Sequence, residues 1–552
     1  MKKQLLLVSA LLVGIAPALR AQSLKDKYIT WGVDASKLSQ TLTTWDTSNA
    51  VNEDDNFFIS RIKPRVPFRN AATQVKPNLT AENDKRLVAW MPIGDPGTNG
   101  LPNGVFDSEV FNMWSYVDHW GNWSAPQGRV PGAFLDVAHK NGVAVSAVAS
   151  VPFGGISSDW QNELTAFSSL NVDLIAKFLT YYGIDGLGYN SEWSGARAAV
   201  QRLQTLHESL TEKMKSQYGN PIFENMWYDG TNDNGVINFD RGLAAHNDDN
   251  FGLTKERASL FFNYNWNTGN LLANSVSYAK ANNRNPLYLY AGFNLQGGEP
   301  SSGTRWPLLA EHNISIGLWG AHDRNMWWES RGEKGSSPEV KQNAYMARIE
   351  RWFGGGKRNP VITPALSNSL QYNADNFDFH GMAAMMSARS ALSWNLAEEP
   401  FISYFNLGNG RFFNWQGQRQ NNIEWYNIGV QDHLPTWRWW FTKSLLGRTA
   451  DQVVANGLQA DFTWDDAYMG GSCLRIQGTS AEEYLHLFKT KYALAAGDAI
   501  TLRYKLAKGQ TALRLALTAE GNEGVALGAD KYVVTTAATA ADYEHWQTAT
   551  FT

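Results

Sequence analysis

Two residues whose types and spacing could support chemistry lie at positions 190 and 192, within the segment Ile184–Trp193. The segment stands between two helical patterns, so it is predicted to form a buried parallel strand. Because side chains alternate along a strand, Asn190 and Glu192 are expected to face the same way at its carboxyl end. In a barrel of alternating strands and helices, that end carries the catalytic groups.

The pairing of a carboxyl group with an amide indicates a particular kind of glycoside hydrolysis. Aromatic neighbours such as Trp193 exclude water from Glu192, which favours its protonated form and a role as general acid. The usual second carboxylate is replaced by Asn190, which could orient a 2-acetamido group of the sugar. The carbonyl oxygen of that group would then attack the anomeric carbon and form an oxazolinium ion. The structural alternative is a salt-bridged glutamate beside a turn-capping asparagine.

The elements that would position these residues follow a strand–helix alternation from about residue 86. Short apolar runs predict buried strands, and the segments between them predict helices. The helices are expected at residues 195–217 and at 338–353, the latter capped by Ser337 with Pro338 in its first turn. The predicted strands are Leu87–Met91, Val143–Val151, Ile184–Asn190, Ile222–Trp227, Leu260–Trp266, Leu287–Phe293 and Ile314–Trp319.

This alternation predicts an α/β fold in which a (β/α)₈ TIM barrel spans residues 22–400. After about residue 400 the pattern changes to short alternating strands separated by turns, which predicts a C-terminal antiparallel β-sandwich over residues 401–552. The strands expected there include Tyr484–Phe488, Ala499–Leu506 and Leu513–Leu517. Thr548–Thr552 has the pattern of an unfinished strand, so we expect the natural chain to continue beyond it.

Composition narrows the class of partner. The chain has 23 Trp, 21 Tyr and 26 Phe, and aromatic rings of this kind stack on the apolar faces of sugars or fill a large core. The formal net charge of −4 does not indicate the excess of positive charge that binds nucleic acid. No run after the N-terminus is long and apolar enough to insert into a membrane. No histidine-rich metal pattern occurs, and Asp465-Asp466 is a weak calcium signal, so we predict neither a metal nor a cofactor.

The first residues predict export. Lys2 and Lys3 precede the apolar run Leu5–Ile15, and small residues lead to Ala21, which is the pattern of a secretory signal peptide over residues 1–21. The lone Cys473 cannot form an internal disulfide. The sequence therefore predicts a secreted or periplasmic protein.

A resemblance to a known family supports the chemical interpretation. The segment Asp185–Glu192 resembles the Asp-Gly-x-x-x-Asn-x-Glu motif of the family 85 endo-β-N-acetylglucosaminidases. Further matches follow in the expected order, and together they cover roughly residues 85–475. They are Trp227–Asp229 with Gly235, Phe261–Trp266, Ser315–Trp319, Trp327–Glu329, Phe405–Gly410, Gln431–Trp440 and Asp466–Gly471.

The resemblance implies roles for individual residues. Glu192 would be the acid/base, Asn190 would orient the acetamido group, and Tyr228 would place a hydroxyl near the reacting centre. Phe239 stands where the family would have a Trp, and Leu187-Gly188 stands where larger residues are expected, which affects barrel packing. The side chains expected to bind substrate are Trp266, Asn265, Phe239, Trp120, Trp328 and Trp319.

The resemblance implies cleavage of the β-1,4 bond between the two core N-acetylglucosamines of N-linked glycans, with retention and through an oxazoline, and transfer of the glycan to other acceptors. N-linked glycans and glycoproteins would be the partners. Two other interpretations stay open. A retaining glycosidase could pair Glu192 with Glu224 or Asp229, or a catalytically silent protein could bind glycans through its aromatic residues. His119 could contact substrate or satisfy a loop carbonyl, and the loop role is favoured.

Overall fold

The structure, a computed structural model, describes most of the chain between residues 37 and 552. The described residues are 37–45, 53–63, 82–91, 110–123, 127–149, 158–195, 197–295, 306–320, 337–355, 366, 379–388, 400–435, 439–442, 457–480, 483–488, 494–518, 532–536 and 543–552. The predicted signal peptide over residues 1–21 and the predicted domain boundary near residue 400 lie outside these residues or at their edge, so both stay predictions.

Eight parallel strands form a closed barrel, in which each strand pairs with the next and the first pairs with the eighth. All of them are short and almost wholly buried, as expected for parallel strands that helices cover on the outside. Numbered β1 to β8 in chain order, they are Leu87–Met91, His119–Asn122, Ala144–Val148, Gly186–Tyr189, Met226–Tyr228, Ser259–Phe262, Leu289–Asn294 and Ser315–Trp319. The prediction of a (β/α)₈ barrel followed by antiparallel strands is therefore confirmed.

The second strand, β2, is the one that the sequence did not predict. Its residues His119-Trp120-Gly121-Asn122 contain no apolar run, because the inward positions hold a histidine and a glycine. Trp120 pairs in register with Ala89 of β1, and Gly121 pairs with Trp90. His119 thus lies in a buried strand of the barrel wall, and the expectation that it serves a loop is wrong.

Helices surround the barrel and begin and end at recognisable signals. The helix before β4 begins after Asn171, whose side chain accepts a hydrogen bond from Asp173 N, and it ends at Gly183 with φ 84°. The two predicted helices are present, and Ser337 caps the second by accepting from Val340 N. The helices are Leu38–Thr44, Glu53–Phe58, Gly132–Lys140, Ser158–Ser168, Val172–Tyr182, Arg197–Ser216, Asp248–Phe251, Leu271–Ala281, Trp306–Glu311 and Pro338–Gly354.

The part of the chain after residue 400 is built from short antiparallel strands that pair two by two among the described residues. Ile500–Lys505 pairs with Trp546–Phe551, and Arg514–Thr518 pairs with Tyr532–Thr536. The other strands are Asn409–Gly410, Phe413–Trp415, Gln418–Asn421, Trp425–Tyr426, Trp440–Thr442, Gln459–Thr463, Cys473–Gln477 and Tyr484–His486. None of the helices described here is long and apolar enough to cross a membrane.

Candidate active site

A cavity of about 200 Å³ opens at the carboxyl ends of the barrel strands. Parallel strands and their following loops converge at this end, which is where TIM barrels carry their active sites. Aromatic side chains form most of its surface, together with one amide and one carboxyl group. The lining residues are Trp90, Trp123, Tyr189, Asn190, Glu192, Met226, Tyr228, Phe261, Tyr264 and Trp319.

Asn190 and Glu192 both line this pocket, as the alternation along β4 predicts. The strand ends at Tyr189, so Asn190 follows it directly and Glu192 lies farther toward solvent. Asn190 is 9% exposed, and no described residue hydrogen-bonds to its side-chain amide. The amide is therefore buried at the pocket wall with its donors and acceptor available to a bound molecule.

Thr231 holds the segment that carries Glu192. Its hydroxyl donates to the carbonyl oxygen of Ser191 at 2.6 Å and also lies within hydrogen-bonding distance of the Trp193 carbonyl oxygen. The Ser191 hydroxyl in turn donates to the carbonyl oxygen of Tyr228. These bonds tie the residues on either side of Glu192 to the end of β5, so that Glu192 and Tyr228 meet across the pocket.

Glu192 is half-buried, and this environment suits a proton donor. Burial raises the pKa of the Glu192 carboxyl above its ordinary value, and a hydrogen bond from Tyr228 opposes part of that rise. The net direction is upward. A carboxyl with a raised pKa retains its proton closer to neutral pH, as a general acid requires.

Tyr228 lies at the centre of a small hydrogen-bond network. Asn263 Nδ2 donates to the Tyr228 hydroxyl oxygen at 2.7 Å. The Tyr264 hydroxyl also hydrogen-bonds to Tyr228, and Tyr228 hydrogen-bonds to Glu192. Burial raises the pKa of Tyr228 well above its ordinary range, so the phenol stays protonated.

The rest of the pocket is aromatic and apolar. Trp123 contacts Trp90 and Trp319 edge to face, with ring centroids 4.8 Å and 5.2 Å apart. Below them Trp90, Met226 and Phe261 fill the barrel interior and form what we call the pocket floor. Rings at this position can stack on the apolar faces of a sugar, while Asn190, Glu192 and Tyr228 supply the polar contacts.

Two predicted substrate-binding tryptophans do not lie in the pocket, and the structure corrects both. Trp120 is 1% exposed and stacks at 5.2 Å on Phe134 of the covering helix, because alternation along β2 turns it outward. Trp266 is 2% exposed, and its Nε1 donates to the Gly292 carbonyl oxygen at 2.8 Å. Both side chains belong to the layer between barrel and helices, where no sugar can reach them.

The other predicted binding residues have different positions. Trp319 lines the pocket, at the end of β8. Phe239 is half-buried and packs beside the pocket, with its ring 6.0 Å from that of Tyr228. Asn265 is exposed and is not among the lining residues. Trp328 lies outside the described residues.

The carboxylates offered as a second catalytic group both lie away from the pocket. Glu224 forms a 2.6 Å ion pair with Arg86 and accepts from the Tyr290 hydroxyl, deep in the barrel. Burial would raise the pKa of Glu224, but Arg86 outweighs it and holds the pKa below its ordinary value. Asp229 is buried behind the strand end, where it accepts hydrogen bonds from Arg241 N and Asn247 Nδ2. Neither carboxylate is among the residues that line the pocket beside Glu192.

The remaining polar candidates have structural partners. His119 hydrogen-bonds to Ser146 inside the barrel. Asp466 pairs with Lys505 at 2.6 Å, and Asp465 pairs with Arg475 at 2.8 Å. Elsewhere, Asp233, Asp248 and Asp249 come together outside the pocket, where Asp233 accepts from the backbone N–H groups of Asp249 and Asn250.

Besides Tyr189, sequence reasoning did not identify six residues of the site. Trp90, Met226 and Phe261 come from inward-facing strand positions, and Trp123, Asn263 and Tyr264 follow the ends of β2 and β6. A signal was available for Met226 and Phe261, because each lies two residues before a polar site residue, Tyr228 and Asn263 respectively. Glycines at inward positions of neighbouring strands also indicate that a large ring must occupy the space between them.

Comparison with known proteins places the chain in a family of glycosyl hydrolases. The sequence profile of glycosyl hydrolase family 85 matches residues 98–413, which is more than half of the chain. The glycoside hydrolase domain of Endo-D from Streptococcus pneumoniae R6 has a similar fold, with a TM-score of 0.70 and 20% identity. That match covers 94% of this chain and 77% of the Endo-D chain.

Two curated relatives show a similar level of sequence identity. A cytosolic endo-β-N-acetylglucosaminidase of Gallus gallus is 21% identical over 387 residues, covering 67% of this chain and 43% of the relative. The cytosolic endo-β-N-acetylglucosaminidase of Homo sapiens is 21% identical over 426 residues, covering 74% of this chain and 49% of the relative. The chain thus matches less than half the length of either relative.

These relatives overturn one prediction from the sequence. Both are named as cytosolic enzymes, so the comparison contradicts the expectation of a secreted or periplasmic protein. That expectation depended only on the residue pattern of positions 1–21, which lie outside the described residues.

Proposed function

Since the chain belongs to glycosyl hydrolase family 85, we propose that it is an endo-β-N-acetylglucosaminidase acting on N-linked glycans. The bond cleaved is the β-1,4 linkage between the two core N-acetylglucosamines. Glycoproteins and free N-glycans that carry this core are the substrates. The names of the two curated relatives support this proposal.

The observation that carries the mechanism is the pairing of one amide with one carboxyl group. Among the described lining residues, Glu192 alone bears a carboxyl group, and Asn190 is the polar side chain next to it along the chain. A pocket with one carboxylate cannot supply both the acid and the nucleophile of ordinary retaining hydrolysis. A substrate that brings its own nucleophile meets this requirement, and a 2-acetamido sugar does so.

In the first step, Asn190 hydrogen-bonds to the acetamido group and turns its carbonyl oxygen toward the anomeric carbon. The new C1–O bond forms as the bond to the departing oxygen breaks, and Glu192 gives that oxygen its proton. The product is an oxazolinium ion and a glycoprotein that keeps one N-acetylglucosamine.

In the second step, Glu192 is a carboxylate and accepts a proton from an incoming water. The water oxygen attacks C1 and reopens the oxazoline, so that two inversions give overall retention. A hydroxyl of another sugar could take the place of water, which would give transfer instead of hydrolysis. Tyr228 keeps a hydrogen bond on Glu192 through both protonation states.

The test is to incubate the protein with a high-mannose glycoprotein and measure the product by mass spectrometry. We expect each occupied site to keep a single N-acetylglucosamine. An unchanged glycoprotein, or one that has lost its glycans entirely, would contradict the proposal. Retained glycan binding without turnover would favour the silent binding protein.

A matched pair of variants tests the assignment of the acid. Glu192→Gln should lower hydrolysis of the natural glycan by about 10²- to 10⁴-fold, since it removes the transferable proton. Glu212→Gln makes the same change on the exposed face of the helix Arg197–Ser216 and should leave the rate unchanged. Equal rates in the two variants would exclude Glu192 as the acid.

A further inference from the structure

Two aromatic rings fill the barrel interior directly below the catalytic residues. Trp90 extends inward from β1 and Phe261 from β6, and both line the pocket while packing in the same buried cluster with Met226. Trp90 Nε1 donates a hydrogen bond to the Met226 sulfur at 2.7 Å, which fixes the orientation of the indole. The pocket floor is therefore a rigid apolar surface.

Glycines on the neighbouring strands make room for these rings. A Cβ atom on Gly121 of β2 or on Gly188 of β4 would overlap the indole of Trp90. The same holds for Phe261, whose ring would overlap a Cβ on Gly292 of β7 or on Gly317 of β8. Each ring thus lies against two glycines. The two rings can occupy their positions in the pocket floor only because these four residues have no side chain.

Gly188 also relates the floor to Asn190. Asn190 follows the last residue of β4, two positions beyond Gly188, and it lines the same pocket as the Trp90 ring. The outer edge of the Trp90 ring, at Cη2, occupies the place that a Cβ on Gly188 would take. Met226 pairs in register with Gly188 and lies two residues before Tyr228 on β5. Whatever Asn190 holds therefore has the Trp90 ring and Met226 beneath it.

We infer that Trp90, seated on Gly121 and Gly188, limits the 2-acylamino group of the substrate to the length of an acetyl. The inference rests on the proposed function, in which Asn190 holds that group. An acetamide oriented for attack on C1 presents its methyl group to the ring below it. Each added methylene would meet the edge of the indole, which cannot retreat because β2 and β4 lie behind it.

The experiment compares glycans that differ only in the acyl group on the sugar whose bond is cleaved. Trimannosyl chitobiose substrates with N-acetyl, N-propionyl and N-butanoyl groups at that sugar are digested, and the ratio of kcat/KM values is measured for each enzyme. We expect kcat/KM of the natural protein to fall by about 10- to 200-fold for each methylene added to the acyl group, from acetyl to butanoyl. Trp90→Phe removes the ring atoms over Gly188 and should reduce the preference at least about 10-fold.

A matched control makes the same substitution one strand away. Trp120→Phe alters a tryptophan that is equally buried but lies outside the barrel, and its acyl preference should equal that of the natural protein. Because each ratio is measured within one preparation, partial loss of folded enzyme cancels from it. An unchanged ratio in Trp90→Phe would overturn the inference.

A second variant approaches the same point from the other side. Gly188→Ala should press the Trp90 ring toward the pocket and lower turnover of the N-acetyl substrate, and adding Trp90→Phe should restore much of it. Equal activity of Gly188→Ala and the natural protein would contradict the inference. Failure of the natural protein to cleave the N-acetyl substrate would overturn the proposed function together with this inference, whereas normal cleavage with unchanged ratios would overturn the inference alone.

Discussion

Asn263 donates a hydrogen bond from Nδ2 to the hydroxyl oxygen of Tyr228 at 2.7 Å, and this contact fixes the direction of the whole network. The Tyr264 ring packs beside Tyr228, with ring centroids 6.2 Å apart, and Tyr228 hydrogen-bonds to Glu192. A phenol has one proton to donate. The Tyr228 proton therefore points to Glu192, and the carboxyl group receives a donor at every stage of the reaction.

Removing the Tyr228 hydroxyl should change the pH dependence of hydrolysis. Burial raises the pKa of Glu192, and the hydrogen bond from Tyr228 lowers it by favouring the carboxylate. The natural glycan needs protonated Glu192, so kcat/KM falls as pH rises through this pKa. In Tyr228→Phe this opposing hydrogen bond is lost, so the pKa of Glu192 rises further. The alkaline limb of the pH–rate profile should therefore move to higher pH.

The pH–rate profiles of the natural protein and Tyr228→Phe measure this shift directly. The maximal rate should also fall, since the carboxylate loses a donor that supports it after proton transfer. Tyr218→Phe changes a tyrosine outside the pocket and serves as the control. A limb that moves to lower pH in Tyr228→Phe would contradict the assigned hydrogen bond.

Replacing the hydrogen-bond donor of Asn263 by an acceptor should lower kcat more than removing its side chain. Asn263→Asp keeps the shape but replaces the donor with an acceptor, which would draw the Tyr228 proton away from Glu192. We expect kcat to fall by roughly 5-fold in Asn263→Ala, one lost hydrogen bond being worth about 1 kcal/mol, and further in Asn263→Asp. KM should change little in either variant, because Asn263 lies behind Tyr228.

Steady-state kinetics separate these effects, and Asn265 supplies the matched position. It lies two residues along the chain but is exposed and outside the pocket. Asn265→Asp should therefore leave both constants unchanged. If Asn263→Asp loses no more activity than Asn263→Ala, the proposed polarity of the network is wrong.

Asn190 should matter for forming the oxazoline more than for consuming it. Asn190→Ala can no longer turn the acetamide toward C1, so hydrolysis of the natural glycan should drop by about 10²-fold or more. A preformed oxazoline already contains the C1–O bond, so its conversion should survive in the variant. Parallel assays on the intact glycan and on the synthetic oxazoline make the measurement. Loss of both activities would count against the orienting role.

Glu224 offers a test of the two-carboxylate alternative. Its side chain is 3% exposed and pairs with Arg86, so Glu224→Gln would leave the guanidinium without its buried counter-charge. Breaking a buried pair in this way costs about 3–5 kcal/mol of the free energy of unfolding. We expect a lower melting temperature and a normal kcat for the protein that remains folded. Normal stability with lost catalysis would instead support Glu224 as a second catalytic carboxylate.

Much of the fold follows from local pattern. Short segments rich in apolar residues marked the strands other than β2, and cap residues such as Ser337 and Gly183 marked helix ends. The sequence did not predict the strand β2, because its inward positions hold His119 and Gly121. Their residue types make sense only against the neighbouring strands, where Trp90 of β1 fills the space over Gly121.

The candidate site likewise has a part that the sequence predicts and a part that only the tertiary structure decides. The chemistry of Asn190 and Glu192 can be derived from the sequence, because alternation along one strand is a local property of the backbone. Which tryptophans face the pocket cannot, since this depends on how eight strands close into a barrel and which side of each becomes the interior. Trp120 and Trp266 were expected to bind substrate but lie in the outer layer. Trp90 and Asn263, from distant parts of the chain, are the residues that closure brings to Asn190 and Tyr228.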